Sequence, residues 1–154
     1  MNKVNLCWVI SDGRKGHEIQ SMTVAIAFAK KVKCFRFQST WLQKITAPYA
    51  IAHKIQNTPW VRKPNVSEPP ALIISCGRQA AAAAKALKLK TGSKHIHILN
   101  PKGNLSEYDL LLLPKHDNVD GKNVCHFTGS IHNIYQMKKD TTQGFCHGCV
   151  AIML

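Results

Sequence analysis

Val4-Asn5-Leu6-Cys7-Trp8-Val9-Ile10-Ser11-Asp12-Gly13-Arg14-Lys15-Gly16-His17-Glu18 holds three patterns in succession. Val4 to Ile10 is nearly continuous in apolar character and includes β-branched residues, as suits a strand buried on both faces. Ser11 to Gly16 is a polar, glycine-bearing loop. From Glu18 the spacing becomes helical: Ile19, Met22, Ala25 or Ile26, and Ala29 fall on one stripe, and Lys30 and Lys31 suit the last turn. Strand, glycine loop and helix form the first half of a βαβ unit.

The rest of the chain repeats the theme. Val32 to Phe37 reads as a second strand, and Ala71 to Cys76 as a third, turned by Gly77. Arg78 to Lys90 is a strong helix, with five successive alanines from Ala80 to Ala84 and Gly92 beyond its end. His95 to Leu99, Tyr108 to Leu113 and Val124 to Thr128 complete six strands, the fifth stopped by Pro114. Residues 38 to 70 concentrate Trp41, Tyr49 and Trp60 among Pro48, Pro59, Pro64, Pro69 and Pro70. They predict a short helix within a long excursion on the domain edge. Alternating strands and helices imply right-handed crossovers and an α/β, Rossmann-like domain, with a mainly parallel sheet and helices on both faces. A chain of 154 residues has room for one such domain, assigned here to residues 1–140, with 141–154 as a tail.

Composition narrows the function classes. With 45% hydrophobic residues the chain is an ordinary globular protein, and its longest apolar runs are far too short to cross a bilayer. Its first residues resemble neither a signal nor a transit peptide, which places the protein in the cytoplasm. Cys7, Cys34, Cys76 and Cys125 lie in or at the end of apolar strands and read as reduced core thiols. Cys146 and Cys149 form a lone CxxC without a second ligand pair, so no metal is expected. The net charge of +13 is uneven: residues 1–63 carry 11 Lys and Arg against 2 Asp and Glu, giving +9. Lys30, Lys31, Lys33, Arg36, Lys54, Arg62 and Lys63 contribute to that excess, which favours a phosphorylated ligand or an acidic membrane surface. A basic solvated surface without a specific partner is the plainer alternative. No stacking pattern or recognition motif points to specific nucleic-acid binding.

In a parallel sheet, ligands bind beyond the carboxyl ends of the strands. That rule selects the loops at 11–17, 76–79 and 114–117. In the first, Gly13 and Gly16 permit close backbone approach, and the helix start attracts an anion. The loop is neither GxGxxG nor a P-loop, so no NAD, ATP or other cofactor is expected. Asp12 and His17 read either as an orienting carboxylate with a general base or as a capping Asp with a surface His. Gly77 and Arg78 form a second such turn, where Arg78 either clamps a phosphate or carboxylate or merely solvates the helix end. Pro114-Lys115-His116-Asp117 and Gly129-Ser130-Ile131-His132 supply two more polar turns.

These four turns, in this order, resemble the mitochondrial fission family named for the plant elongated-mitochondria protein. The likeness runs from residue 4 to about residue 135. Members are similar to two-domain glycosyltransferases of the GT-B type, whereas the plant protein acts as a peripheral adaptor for a dynamin-related GTPase. The resemblance implies that this chain is the N-terminal, acceptor-side half of such a protein. His17 would then be the base, Asp12 its orienting partner, and Gly13, Gly16, Gly77, Arg78, His116 and Ser130 the lining of one cleft. Members are longer, with a second Rossmann-like domain. Here Cys149 to Leu154 resembles either that domain's first strand or unrelated residues after a broken reading frame. The half-protein is therefore expected to lack glycosyl transfer by itself. A peripheral adaptor that uses its basic residues on an anionic membrane or a protein partner is the other reading.

Overall fold

A computed structural model describes residues 2–36 and 68–132. Among them, strand β1 (Val4–Ser11) leads into helix α1 (Lys15–Phe28), which passes without a loop into β2 (Ala29–Arg36). After residue 67, β3 (Leu72–Cys76), helix α2 (Arg78–Thr91) and β4 (Lys94–Ile98) follow, and then β5 (Leu110–Pro114) and β6 (Val124–Phe127). The aromatic and proline-rich residues up to 67, including Lys54, Arg62 and Lys63, lie outside the described residues. So do the CxxC of Cys146 and Cys149 and the tail from 141.

All six strands pair in parallel, in the order β2-β1-β3-β4-β5-β6. The fold is α/β and Rossmann-like. The chain moves one way from β1 to β2 and the other way from β3 onward, so the strand order reverses between β1 and β3. Strand alternation sends Cys7, Val9, Leu72, Ile74, Ile96 and Ile98 into one core with Val24 and Ala25 of α1. Leu6, Trp8, Ile10 and Ile73 pack instead with Ala83, Ala84 and Leu87 of α2. Helices therefore cover both faces.

The two helices dock differently. In α2 every residue from Ala80 to Leu87 is buried, because alanine side chains let the helix axis approach the sheet closely. Gly92 ends α2 in the left-handed region (φ 70°), where its N–H reaches Lys88 O. In α1 the buried residues are Ser21, Val24 and Ala25, while Ile19 and Ile26 are half exposed. Of the stripe that the spacing predicts, Ala25 and Ala29 lie in the core and Met22 packs against it, whereas Ile19 does not. Lys30 and Lys31 also belong to β2 rather than to the last turn of α1, since the helix ends at Phe28. The cysteines divide as well: Cys7 and Cys76 are buried in central strands, but Cys34 and Cys125 are exposed. They lie on β2 and β6, the outermost strands of the described sheet.

Candidate functional site

The loop after β1 is tied by its own side chains. Asp12 uses both carboxylate oxygens: Oδ1 accepts the Arg14 N–H at 3.2 Å, and Oδ2 lies 3.2 Å from His17 Nδ1. Ser11 Oγ accepts the Gly13 N–H and donates to Glu18 Oε2 at 2.9 Å. Arg36, at the end of β2, then grips Glu18 with two nitrogens, at 2.8 and 2.5 Å. This bidentate pair joins the loop to the neighbouring strand and holds the Glu18 carboxyl below its usual range, with the Arg36 hydrogen bonds as the main cause.

The Asp12 side chain is only 2% exposed and that of His17 is 21% exposed. Burial pushes the Asp12 carboxyl up, but the hydrogen bonds from His17 and the Arg14 backbone, with the charges of both residues, bring it below its usual value. In its Nδ1–H tautomer His17 donates to ionised Asp12, and that tautomer carries its lone pair on Nε2. That is the arrangement a general base requires.

The second loop meets the first directly. Gly77 has φ 79° and ψ 157°, and a Cβ placed there would lie 2.6 Å from His17 Cε1 and 2.8 Å from Nδ1. The imidazole therefore lies over the Gly77 backbone, at the point where strand order reverses. Arg78 follows as the exposed first residue of α2. Gly13 (φ 82°), in the facing loop, and Gly16, in the first turn of α1, are exposed, with open space where a Cβ would stand.

His116 and Ser130 stand further along the same sheet edge. β5 is two strands from β3 and β6 three, which sets these turns roughly 10 and 15 Å away laterally. The His116 side chain is 83% exposed, and its ion-pair partner is its neighbour Asp117, at 3.8 Å. Asp12, His17 and Gly77 thus form one compact group with Arg78 next in the chain, and neither His116 nor Ser130 makes a hydrogen bond or ion pair with it among the described residues. Nor do the described residues gather three or more His, Cys, Asp or Glu side chains able to hold a metal. No described helix is long and apolar enough to cross a membrane.

A sequence model for mitochondrial fission ELM1 matches residues 15–145 of this chain, which include His17, Gly77, Arg78, His116 and Ser130. The chain belongs to the mitochondrial fission ELM1 family. An uncharacterized protein of Rickettsia prowazekii (strain Madrid E) is 28% identical to this chain over 115 residues. That alignment covers 73% of this chain but 32% of the Rickettsia protein, so the chain spans about a third of its relative's length. No solved structure matches. The family match begins at Lys15, whereas the resemblance read from the sequence started at Val4; β1 and Asp12 lie before it.

Sequence reasoning missed two groups. Glu18 and Arg36 were read as a helix start and as surface charge, not as the brace of the loop. His95 and His97 read as ordinary strand residues and Ser75 as the start of the Gly77 turn, yet all three are fully buried. The signal for the histidines was present: two polar residues at alternate positions of a strand enclosed on both faces must share one buried face.

Proposed function

We propose that this chain supplies the acceptor side of a GT-B-like glycosyl-transfer protein, cytoplasmic in location. His17 Nε2 takes the proton of an acceptor hydroxyl, Asp12 fixes the imidazole's orientation, and Arg78 binds an anionic group of the ligand. The nucleotide-sugar donor belongs to a second Rossmann-like unit, so the chain alone binds its ligand without turning it over. The observation that carries this reading is the Asp12–His17 pair lying over Gly77 at the reversal of strand order, the place where α/β sheets bind ligands. Family membership gives it context.

Titration of the full chain with glucose 1-phosphate tests the proposal. Arg78→Ala should weaken binding about tenfold or more, as loss of a charge-assisted hydrogen bond costs roughly 1.5–3 kcal/mol. Unchanged binding in that variant, or turnover of a nucleotide sugar by this chain alone, would overturn it.

One observation favours a second reading, a peripheral adaptor on an anionic membrane: Lys30, Lys31 and Lys33 are all exposed on β2. Binding to vesicles rich in phosphatidylserine but not to phosphatidylcholine, lost in a Lys30, Lys31, Lys33→Ser variant, is its expected outcome. Equal binding to both vesicle types would reject it.

A further inference from the structure

β4 carries His95 and His97 at alternate positions, so both face α2, while Ile96 and Ile98 enter the core against α1. Ser75 of β3 lies between them: its Oγ is 2.8 Å from His95 Nε2 and 2.7 Å from His97 Nδ1. Tyr108 closes the group, with its ring centroid 5.1 Å from that of His95 and 5.3 Å from that of His97.

Burial is the main force keeping both rings neutral. It drives His97 down to about 3, and the charge of His17 acts in the same sense, while the Ser75 backbone carbonyl opposes it. His95 is pushed well below the usual range by burial, then by His97, Lys88 and Lys85, with Asp109 opposing. Beside them, Lys85 is paired with Glu107, and Lys88 with Asp109.

Two neutral imidazoles carry one N–H each, and the Ser75 hydroxyl carries one proton. When Ser75 O–H donates to His95 Nε2, His97 Nδ1–H must donate back to Ser75 Oγ. Both rings are then Nδ1–H tautomers. When Ser75 donates to His97 Nδ1 instead, His95 Nε2–H donates to Ser75 Oγ, and both rings are Nε2–H tautomers. The outer nitrogens, His95 Nδ1 and His97 Nε2, have no protein partner among the described residues.

We propose that Ser75, His95 and His97 form a proton relay whose three members change state together. A proton from a hydronium ion or an imidazolium binds at His97 Nε2. His97 passes its Nδ1 proton to Ser75 Oγ, Ser75 passes its own proton to His95 Nε2, and His95 releases its Nδ1 proton to water. Two N–H bonds form and two break, the Ser75 O–H is exchanged, and no charge remains. His97 and Ser75 are paired near the carboxyl end of the sheet, just before the Gly77 turn over which His17 lies. His95 is two residues deeper, where its backbone N–H donates to Asp109. The relay therefore runs from beneath the candidate site toward the opposite edge. It is a property of the sheet and does not rest on the sugar-transfer reading.

The test is imidazole nitrogen NMR of the full chain labelled with 15N-histidine, across about pH 5.5–8, where an ordinary histidine titrates. In the wild type, His95 and His97 should show the same Nδ1–H fraction at every pH, with no titration of either ring. Ser75→Thr retains the hydroxyl and should keep the fractions equal, whereas Ser75→Ala should make them independent. A purely structural Ser75 would hold the rings in place without tying the two fractions together. Unequal fractions in the wild type, a titration midpoint in this range for either ring, or equality that survives Ser75→Ala would overturn the proposal. If Ser75→Ala does not fold, the wild type and Ser75→Thr decide it.

Discussion

Gly77→Ala would strike the contact of His17 with the second loop, and its cost can be worked from the geometry. The backbone at φ 79° and ψ 157° lies in a region that essentially only glycine occupies, which costs an L-residue roughly 1–3 kcal/mol. The new methyl would also sit 2.6 Å from His17 Cε1, well inside contact distance. His17 must then swing away and give up its bond to ionised Asp12, a further loss of roughly 1.5–3 kcal/mol. The sum is about 2.5–6 kcal/mol, measured as the change in urea unfolding free energy of the full chain. Repeating the substitution in a His17→Ala background removes the collision and leaves only the backbone strain. The cost should then fall to roughly 1–3 kcal/mol, and the difference between backgrounds reads the His17–Gly77 contact. Equal costs in the two backgrounds would show that His17 does not lie over Gly77, and the compact site would dissolve with it.

The buried histidines make stability fall with acid. Below the ordinary value of 6.5 the unfolded imidazoles take up protons that folded His95 and His97 refuse. Stability is therefore full above 6.5 and declines as pH falls toward 3. The slope is about 1.4 kcal/mol per pH unit for each histidine. Urea midpoints between about pH 6 and 4.5 should show that slope halved in His97→Gln; an unchanged slope would mean the ring is not held neutral. Lys85→Met should destabilise by roughly 3–5 kcal/mol, because it strands the Glu107 carboxylate in a buried site. Adding Glu107→Gln should recover much of that loss, and a second loss of similar size would refute the ion-pair account.

The sequence by itself determined the alternation of elements, the parallel sheet, and the placement of glycine loops beyond strands β1 and β3. Those follow from local periodicity: a short apolar run that ends at a polar glycine loop has few other folds available. It also marked Asp12, His17, Gly77 and Arg78, because each stands at a strand-to-helix turn. It misplaced what depends on neighbours distant in sequence. Spacing puts Ile19 on the buried stripe of α1 with Ala25, yet the sheet buries Ala25 together with Ser21 and Val24 and leaves Ile19 half exposed. Cys34 and Cys125 read as core thiols, but a strand is enclosed only if the sheet extends past it, and β2 and β6 are outermost among the described strands. The contact of His17 with Gly77 joins residues sixty positions apart, and the Glu18–Arg36 brace spans eighteen. Neither leaves a trace in local spacing. Only the reversal of strand order, which puts β3 beside β1, brings the two loops together, because adjacent parallel strands deliver their carboxyl ends to one edge.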